Sequence, residues 1–245
     1  MNLDILAIAA HPDDAELSCA GTLILHKHIG HTTGILDLTE GELGSRGSVE
    51  TRYQEAAHAK EILNLDYRGN LKLRDGFFEH NEESLLKLIT QLRALRPKIV
   101  LANAIEDRHP DHGKAAQLIH DACFLSGLSK IETIDSDGNK QTPWRPKKTF
   151  HYIQDFYLEP HFIIDISSTM ELKMKSVAAY TTQFFIQENE NTKTYISAND
   201  YIEKVKYRAA MMGKKIGVDY GEGFQLKTQF LGLKNFNDII LPEYV

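Results

Sequence analysis

Short apolar stretches alternate with helical segments along the first half of this chain, and this alternation constrains the fold more than any other feature. Residues 3–10, 33–38 and 98–103 have the length and composition of buried strands. Helical spacing of apolar residues predicts helices at residues 15–28 and 82–95. A strand that returns through a helix pairs in parallel, with a right-handed crossover. The sequence therefore predicts an α/β fold in which a mostly parallel sheet is flanked by helices.

Shorter patterns predict the remaining elements. A helix is expected at residues 51–63 and a short strand at 70–73, and the polar, turn-rich residues 131–148 indicate a surface loop or a hairpin. The second half is expected to contain strands at 150–154 and 162–166 and helices at 170–184 and 200–212. Residues 213–245 show no pattern that places an element. A length of 245 residues suits one large α/β domain, so we expect residues 1–245 to form a single domain.

The tripeptide His-Pro-Asp follows two of the predicted strands. The first copy, at residues 11–13, comes directly after strand 3–10, and the second, at residues 109–111, follows the apolar stretch 99–102. Ligands of open parallel sheets bind at the carboxyl ends of strands, near the point where the strand order reverses. We therefore expect the two copies to converge on one ion.

Two histidines and one aspartate in these runs form a candidate metal set. Zinc in hydrolytic sites takes three ligands from histidine and carboxylate and keeps one position open for water. His11, Asp14 and His112 would supply such a set. Iron, cobalt and manganese accept the same ligands, so the set predicts Zn²⁺ or another divalent transition metal. The alternative is that Asp13, Asp14 and Asp111 only cap helices, and the repetition at two strand ends favours the metal site.

The same runs contain candidates for the proton transfers of hydrolysis. A carboxylate that is adjacent to a ligand but does not coordinate can take a proton from metal-bound water, and Asp13 has that position. His109 could stabilise an oxyanion or protonate a leaving amine. Asp111 could hold the tautomer of His109, or it could cap a helix.

These residues resemble the signature motifs of a known family. Ala-His-Pro-Asp-Asp at residues 10–14, with Glu16, and His-Pro-Asp-His at residues 109–112 are similar to the two motifs of the LmbE/PIG-L-like zinc N-deacetylases. The resemblance implies a Rossmann-like fold and removal of acetyl from an N-acetylglucosamine unit. It also implies the same roles for the zinc ligands, for the base and for the oxyanion-stabilising histidine.

Further similarity is to the bacillithiol branch of that family. Residues 37–47 and Thr51-Arg52 are similar to this branch, which also tolerates Ala15 between Asp14 and Glu16. The branch deacetylates N-acetyl-alpha-D-glucosaminyl L-malate. The resemblance also implies a homo-oligomer, a trimer or a hexamer.

Arginines are the candidate residues for binding a substrate with two carboxylates, because a planar guanidinium matches a carboxylate. By resemblance, Arg52 and Arg108 match basic positions of the branch's pocket. Arg46, in the glycine-rich loop, is a third candidate, with a solvated surface charge as the alternative.

Other functions remain open or are disfavoured. A chitobiose-type or mycothiol-type N-acetylglucosamine substrate, or a non-catalytic metal-dependent sugar-binding protein, are the alternatives. A receiver-type magnesium pocket is disfavoured because magnesium prefers oxygen ligands to histidine. Residues 41–47 are rich in glycine but lack the Walker and G-x-G-x-x-G patterns, which disfavours nucleotide binding.

Composition restricts the partners and the compartment. A net charge of −6 argues against nucleic-acid or anionic-membrane partners. It does not exclude an acidic small-molecule substrate, which is the partner that the resemblance implies. The two cysteines have no neighbouring cysteine, and the apolar stretch near the amino terminus is too short for a signal core or a membrane span. We therefore expect a cytoplasmic protein.

Overall fold

The computed structural model describes residues 1–185, 192–197, 200–227 and 230–232. These residues form a seven-stranded sheet with helices packed on both faces. The strands are β1 Ile5–Ala9, β2 Thr33–Thr39, β3 Tyr67–Leu73, β4 Ile99–Ala102, β5 Lys148–Tyr152, β6 Phe162–Asp165 and β7 Gly221–Gln225. The helices are α1 Asp14–His28, α2 Val49–Ile62, α3 Glu82–Leu95, α4 Pro110–Leu125, α5 Met170–Ala178, α6 Thr181–Phe184 and α7 Tyr201–Ile216.

The strand order is β3-β2-β1-β4-β5-β7-β6. Strand β1 pairs in parallel with both β2 and β4, so the order reverses between β1 and β4. Strand β7 is antiparallel to both of its neighbours, β5 and β6. The predicted α/β fold with a mostly parallel, helix-flanked sheet is confirmed. The reversal leaves the carboxyl ends of β1 and β4 side by side, where such sheets bind ligands.

Strand β1 is buried along its whole length, and its side chains alternate between two cores. Leu6 and Ile8 pack with residues of α3 and α4 on one face of the sheet. Ile5 and Ala7 pack with residues of α1 on the other. Burial on both faces explains why the strand is apolar at every position. Within the described ranges, no helix has the length and apolarity needed to span a bilayer.

Helix α3 has the predicted bounds, whereas the helix predicted at residues 170–184 does not form as one element. Asn81 caps α3 by accepting a hydrogen bond from Ser84 N at 3.0 Å. Tyr180 separates α5 from α6, with a backbone outside helical geometry at φ −86° and ψ 64°. Its side chain is fully buried and its hydroxyl donates to Glu16 Oε1 at 3.0 Å. A buried hydroxyl needs a hydrogen-bond partner. Tyr180 reaches Glu16 from a backbone position that lies outside the helix, so α5 and α6 are separate elements.

Strand β7 lies in the stretch for which the sequence predicts no element. Its residue Glu222 is buried and accepts hydrogen bonds from Gly21 N at 3.0 Å and Thr22 N at 2.7 Å. Lys173 Nζ lies 2.6 Å from the same carboxylate. A buried glutamate is compatible with a strand only when such partners satisfy it, and these partners come from α1 and α5. Residues 228–229 and 233–245 of that stretch lie outside the described residues.

Candidate metal centre

The two His-Pro-Asp runs lie side by side at the carboxyl ends of β1 and β4. His11 follows β1, and His109 is the N-cap of α4. The ring centroids of His11 and His109 are 4.7 Å apart. Both residues line a cavity of about 460 Å³. The topology therefore brings together two runs that are distant in sequence.

Asp14 contacts both candidate histidine ligands, each with a different oxygen. Asp14 Oδ2 lies 3.5 Å from His11 Nδ1, and Asp14 Oδ1 lies 3.2 Å from His112 Nε2. Two ligand atoms of a tetrahedral zinc ion, each about 2.0–2.1 Å from the metal, are about 3.4 Å apart. Ligand atoms of His11, His109 and His112 also lie within 4.8 Å of one another. Donor types and spacings therefore fit a divalent transition metal.

Each candidate histidine ligand has a carboxylate at its other ring nitrogen. His11 Nε2 lies 3.0 Å from Asp75 Oδ1, and His112 Nδ1 lies 2.5 Å from Asp107 Oδ2. A carboxylate partner selects the tautomer of the imidazole and orients the ring. His11 Nδ1 and His112 Nε2 are therefore the nitrogens directed at Asp14.

Burial alone would lower the pKa of His112, but the charges of Asp14 and Asp107 outweigh it and raise the pKa to about 9. The opposite balance applies to Asp14. Burial favours its neutral form, but His112 and His11 hold its pKa well below the usual value. The centre therefore keeps its carboxylate charged.

Two side-chain amides hold Asp14. Gln154 Nε2 donates to Oδ1 at 2.5 Å, and Asn103 Nδ2 donates to Oδ2 at 3.2 Å. Asn103 follows β4 and Gln154 lies just after β5, so both are at the same edge of the sheet. The two amides fix the orientation of the carboxylate between the histidines.

Asp13 has a backbone conformation that only a well-packed site maintains. Its φ of 119° and ψ of −25° lie in a region that L residues avoid at a cost of about 1–3 kcal/mol. Arg52 Nη1 donates to Pro12 O at 2.6 Å and to Asp13 Oδ2 at 3.3 Å, which holds this conformation. The side chain makes no capping hydrogen bond to α1, so capping does not explain Asp13. Burial raises its pKa to about 7, against the opposing charge of Arg52.

Asp111 contacts His109 with its backbone and not with its carboxylate. The Asp111 backbone N–H donates to His109 Nδ1 at 3.3 Å, which places the imidazole proton on Nε2. The Asp111 carboxylate instead accepts from Gly76 N at 2.7 Å and lies 3.5 Å from His11 Nε2. Asp111 thus contacts His109 through its backbone N–H, while the first turn of α4 directs its carboxylate to the other side of the centre. Burial and the charges of His11 and His112 lower the pKa of His109, which favours its neutral form.

Comparison with known proteins identifies the family. The model of the family PIG-L, described as GlcNAc-PI de-N-acetylase, matches residues 6–123. The uncharacterized deacetylase YaiS of Escherichia coli strain K12 is 30% identical over 128 residues, which cover 49% of this chain and 67% of the relative. The chain belongs to the PIG-L family. The family match includes both His-Pro-Asp runs and ends within α4.

Solved structures extend the PIG-L likeness over the second half of the chain. A conserved protein from Thermus thermophilus has a TM-score of 0.82 and 39% identity, over 95% of this chain and 98% of that one. The N,N'-diacetylchitobiose deacetylase from Pyrococcus horikoshii has a TM-score of 0.76 and 26% identity, over 96% and 88%. The fold therefore agrees with these solved structures over both halves of the chain.

The three candidate arginines of this PIG-L chain have different positions. Arg108 and Arg52 line the cavity. Arg52 also donates from Nη2 to Gln183 Oε1 at 2.5 Å, so its guanidinium joins Asp13 to α6. Arg46 is buried and donates from Nη2 to Phe185 O at 2.5 Å. The structure does not bring the Arg46 side chain to the candidate site, because the glycine-rich loop turns it toward α6.

Glu16, the other acidic residue of the first PIG-L motif, points away from the cavity. It is fully buried and paired with Arg68 of β3, which also binds the Asp37 carboxylate through Nε at 3.0 Å. Burial raises the pKa of Asp37 to about 6, against the opposing charge of Arg68. Glu16 therefore anchors the start of α1 to the sheet beneath the centre. Glu16 follows Asp14 by two residues in α1, so its side chain lies on another face of the helix.

Sequence reasoning missed four polar residues that contact the candidate ligands, namely Asp75, Asn103, Asp107 and Gln154. Asp75 follows β3 and Gln154 follows β5, so the strand-end rule that identified the His-Pro-Asp runs also applies to them. Asp107 lies in a charged turn between β4 and α4, where nothing distinguishes it from its neighbour Glu106. Only its contact with His112 reveals a specific position.

Proposed function

We propose that this chain is a metal-dependent hydrolase that removes the N-acetyl group from an N-acetylglucosaminide, with N-acetyl-alpha-D-glucosaminyl L-malate of bacillithiol biosynthesis as the substrate. One observation carries the proposal: the strained Asp13 lines the cavity beside His11, Asp14 and His112. Amide hydrolysis at a metal needs a base that is close to the ion but does not coordinate it. Family membership supports the reaction class.

The metal would be held by His11 Nδ1, His112 Nε2 and the carboxylate of Asp14. Zinc is the proposed ion, and iron, cobalt or manganese suit the same donors. When bound, such an ion polarises the acetyl carbonyl and lowers the pKa of a water ligand.

The chain's own side chains transfer the protons. Asp13, held in place by Arg52, takes the proton of the attacking water. His109 carries its own proton on Nε2 and donates a hydrogen bond to the acetyl oxygen as negative charge develops there. The Asp111 backbone N–H supports this hydrogen bond, because it keeps the proton of His109 on Nε2. Asp13 then gives the proton that it took from the water to the leaving amine.

Arg108 is the best placed cation for a carboxylate of the malate group. Its side chain is 40% exposed, and its Nε donates to Asp155 Oδ2 at 3.0 Å. The guanidinium lies 4.4 Å from the centroid of the Tyr195 ring. Within the described part of the chain these contacts fix the guanidinium plane and leave both Nη atoms for a ligand. A guanidinium held in this way presents two parallel donors to a carboxylate.

A chitobiose-type deacetylase is the second candidate function. The similarity to the Pyrococcus horikoshii enzyme favours it. Diacetylchitobiose has no carboxylate, so it would not engage Arg108 as the malate conjugate does. The two candidates therefore differ in their dependence on one side chain.

Acetate release by the zinc-loaded protein tests the proposal, with the malate conjugate, diacetylchitobiose and free N-acetylglucosamine as substrates. We expect the highest kcat/KM for the malate conjugate. Arg108→Ala should lower that value by about 10–100-fold, because a hydrogen bond to a charged group contributes about 1.5–3 kcal/mol. Arg145→Ala removes an exposed arginine that packs on Phe124, away from the cavity, and serves as the matched control.

Faster release from diacetylchitobiose, with no effect of Arg108→Ala, would assign the chitobiose function instead. Zinc-loaded protein that binds the glycoside and never releases acetate would be a sugar-binding protein.

We also propose that the protein is cytoplasmic and forms a homo-oligomer, a trimer or a hexamer, with no nucleic-acid or membrane partner. The mass of the native assembly in solution tests the oligomer. Three or six chain masses support it, and one chain mass contradicts it.

A further inference from the structure

Asp107 contacts two parts of the centre with one carboxylate. Its side chain is wholly buried, and Oδ2 lies 2.5 Å from His112 Nδ1. Oδ1 accepts hydrogen bonds from the backbone N–H groups of Asp155 at 3.0 Å and Phe156 at 2.7 Å. A candidate metal ligand and the loop after β5 are therefore held by the same side chain.

The loop after β5 carries two residues that matter to the centre. Gln154 Nε2 donates to Asp14 Oδ1 at 2.5 Å. Asp155 accepts from Arg108 Nε at 3.0 Å and from the Tyr195 hydroxyl at 3.3 Å. The position of this loop therefore sets the orientation of Asp14 and the plane of the Arg108 guanidinium.

We propose that Asp107 is a positioning residue that couples the metal site to substrate recognition. Oδ2 makes His112 present Nε2 to the metal, and Oδ1 places Arg108 through Asp155. The first half of this inference rests on the proposed metal set. A carboxylate that holds a metal-binding histidine from behind typically contributes about 10–100-fold to metal affinity.

An asparagine at this position separates the two halves. Its oxygen keeps the place of Oδ1, because the N–H groups of Asp155 and Phe156 both need an acceptor there. Its NH₂ group then faces His112 Nδ1, which cannot keep its own proton against another donor. His112 is left with its proton on Nε2, where a metal ligand must have none. Asp107→Asn should therefore weaken metal binding and leave Arg108 in place.

The experiment measures zinc affinity by competition with a chelator, and hydrogen-bonded side-chain N–H signals by NMR of nitrogen-labelled, zinc-loaded protein. The parent should show protected His112 Nδ1–H and Arg108 Nε–H signals. Asp107→Asn should bind zinc about 10–100-fold more weakly, lose the His112 signal and keep the Arg108 signal. Asp107→Ala should lose both signals.

Two control variants isolate the effects. Glu106→Gln removes one negative charge from the exposed neighbouring residue and should bind zinc as the parent does. Asp155→Asn should change the Arg108 signal and KM while zinc affinity stays at the parent value.

Parent-like zinc affinity of Asp107→Asn overturns the first half of the inference, and a parent-like Arg108 signal in Asp107→Ala overturns the second. If Asp107→Ala does not fold, loss of the Arg108 signal in Asp107→Asn overturns the separation of roles instead. The zinc affinities and the NMR signals need no substrate. Protein that shows the expected signals and zinc affinities but releases no acetate contradicts the proposed function and leaves the role of Asp107 intact.

Discussion

Asp14 Oδ1 lies 3.2 Å from His112 Nε2, and this contact joins the start of α1 to the first turn of α4 across the switch point of the sheet. It forms because β1 and β4 are parallel neighbours whose chains leave the sheet at the same edge. Gln154 donates to the same Asp14 oxygen, and Asp107 contacts the other ring nitrogen of His112. Asp13 takes no part in this contact, so the proposed metal binding and the proposed proton transfer should be separable by mutation.

His112→Ala should abolish zinc binding, because it removes one of three proposed ligands. Asp13→Ala should keep zinc and lower turnover by about 10²–10⁴-fold, the usual contribution of a general base. His58→Ala, at an exposed position of α2, is the control and should match the parent. Metal analysis and acetate release measure the two effects. Equal turnover of Asp13→Ala and the parent would contradict the assigned role of Asp13.

Asp13→Asn should stabilise the metal-free protein, and more near pH 8 than near pH 5. Asparagine tolerates positive φ and removes a carboxyl whose pKa burial raises from 3.8 to about 7. Such a carboxyl binds its proton more tightly in the folded state, so its contribution to the free energy of unfolding falls as the pH rises from about 4 to 7. We expect a gain of about 1–2 kcal/mol near pH 8. Urea unfolding at both pH values measures it, and a gain independent of pH would count against the raised pKa.

Lys173→Met should lower the free energy of unfolding by about 3–5 kcal/mol, because it leaves the buried charge of Glu222 without its cation. The two side chains are only 3% and 2% exposed. Lys175→Met on the same helix breaks an exposed pair with Glu171 and should cost less than about 1 kcal/mol. Denaturant unfolding compares the variants. An equal decrease in the free energy of unfolding for both would show that the buried pair stabilises the fold no more than the exposed pair.

Arg46→Ala and Arg108→Ala should affect different properties. The first should lower the stability of the fold, and the second should weaken substrate binding. Arg46 is buried and its guanidinium donates to Phe185 O, so its loss should lower the free energy of unfolding by about 1–3 kcal/mol. Arg108 is exposed at the cavity, so its loss should leave stability within about 0.5 kcal/mol and raise KM for the malate conjugate. Thermal unfolding and steady-state kinetics measure the two quantities. A stable Arg46→Ala protein with a raised KM would restore Arg46 as a substrate-binding residue.

The spacing of apolar residues correctly predicted the strands and helices whose burial follows from that spacing. Strand β1 is apolar throughout because both of its faces are buried, and α3 has an apolar stripe with a cap at Asn81. The break at Tyr180 and the strand that contains Glu222 were not predictable in this way. In both cases a buried polar group finds its partner far away in sequence, at Glu16 in one and at Lys173 in the other.

By itself, the sequence determined the α/β alternation, the positions of the two His-Pro-Asp runs at strand ends, and the residue types that can bind a metal. It did so because strand length, helical spacing and donor chemistry are properties of neighbouring residues. The tertiary structure alone decided which ring nitrogen of His11 and of His112 faces Asp14. It also decided that Asp75 and Asp107 contact the other ring nitrogens. It also moved the Asp111 carboxylate away from His109. These relations depend on which loops the sheet order places together, and no local pattern contains that information.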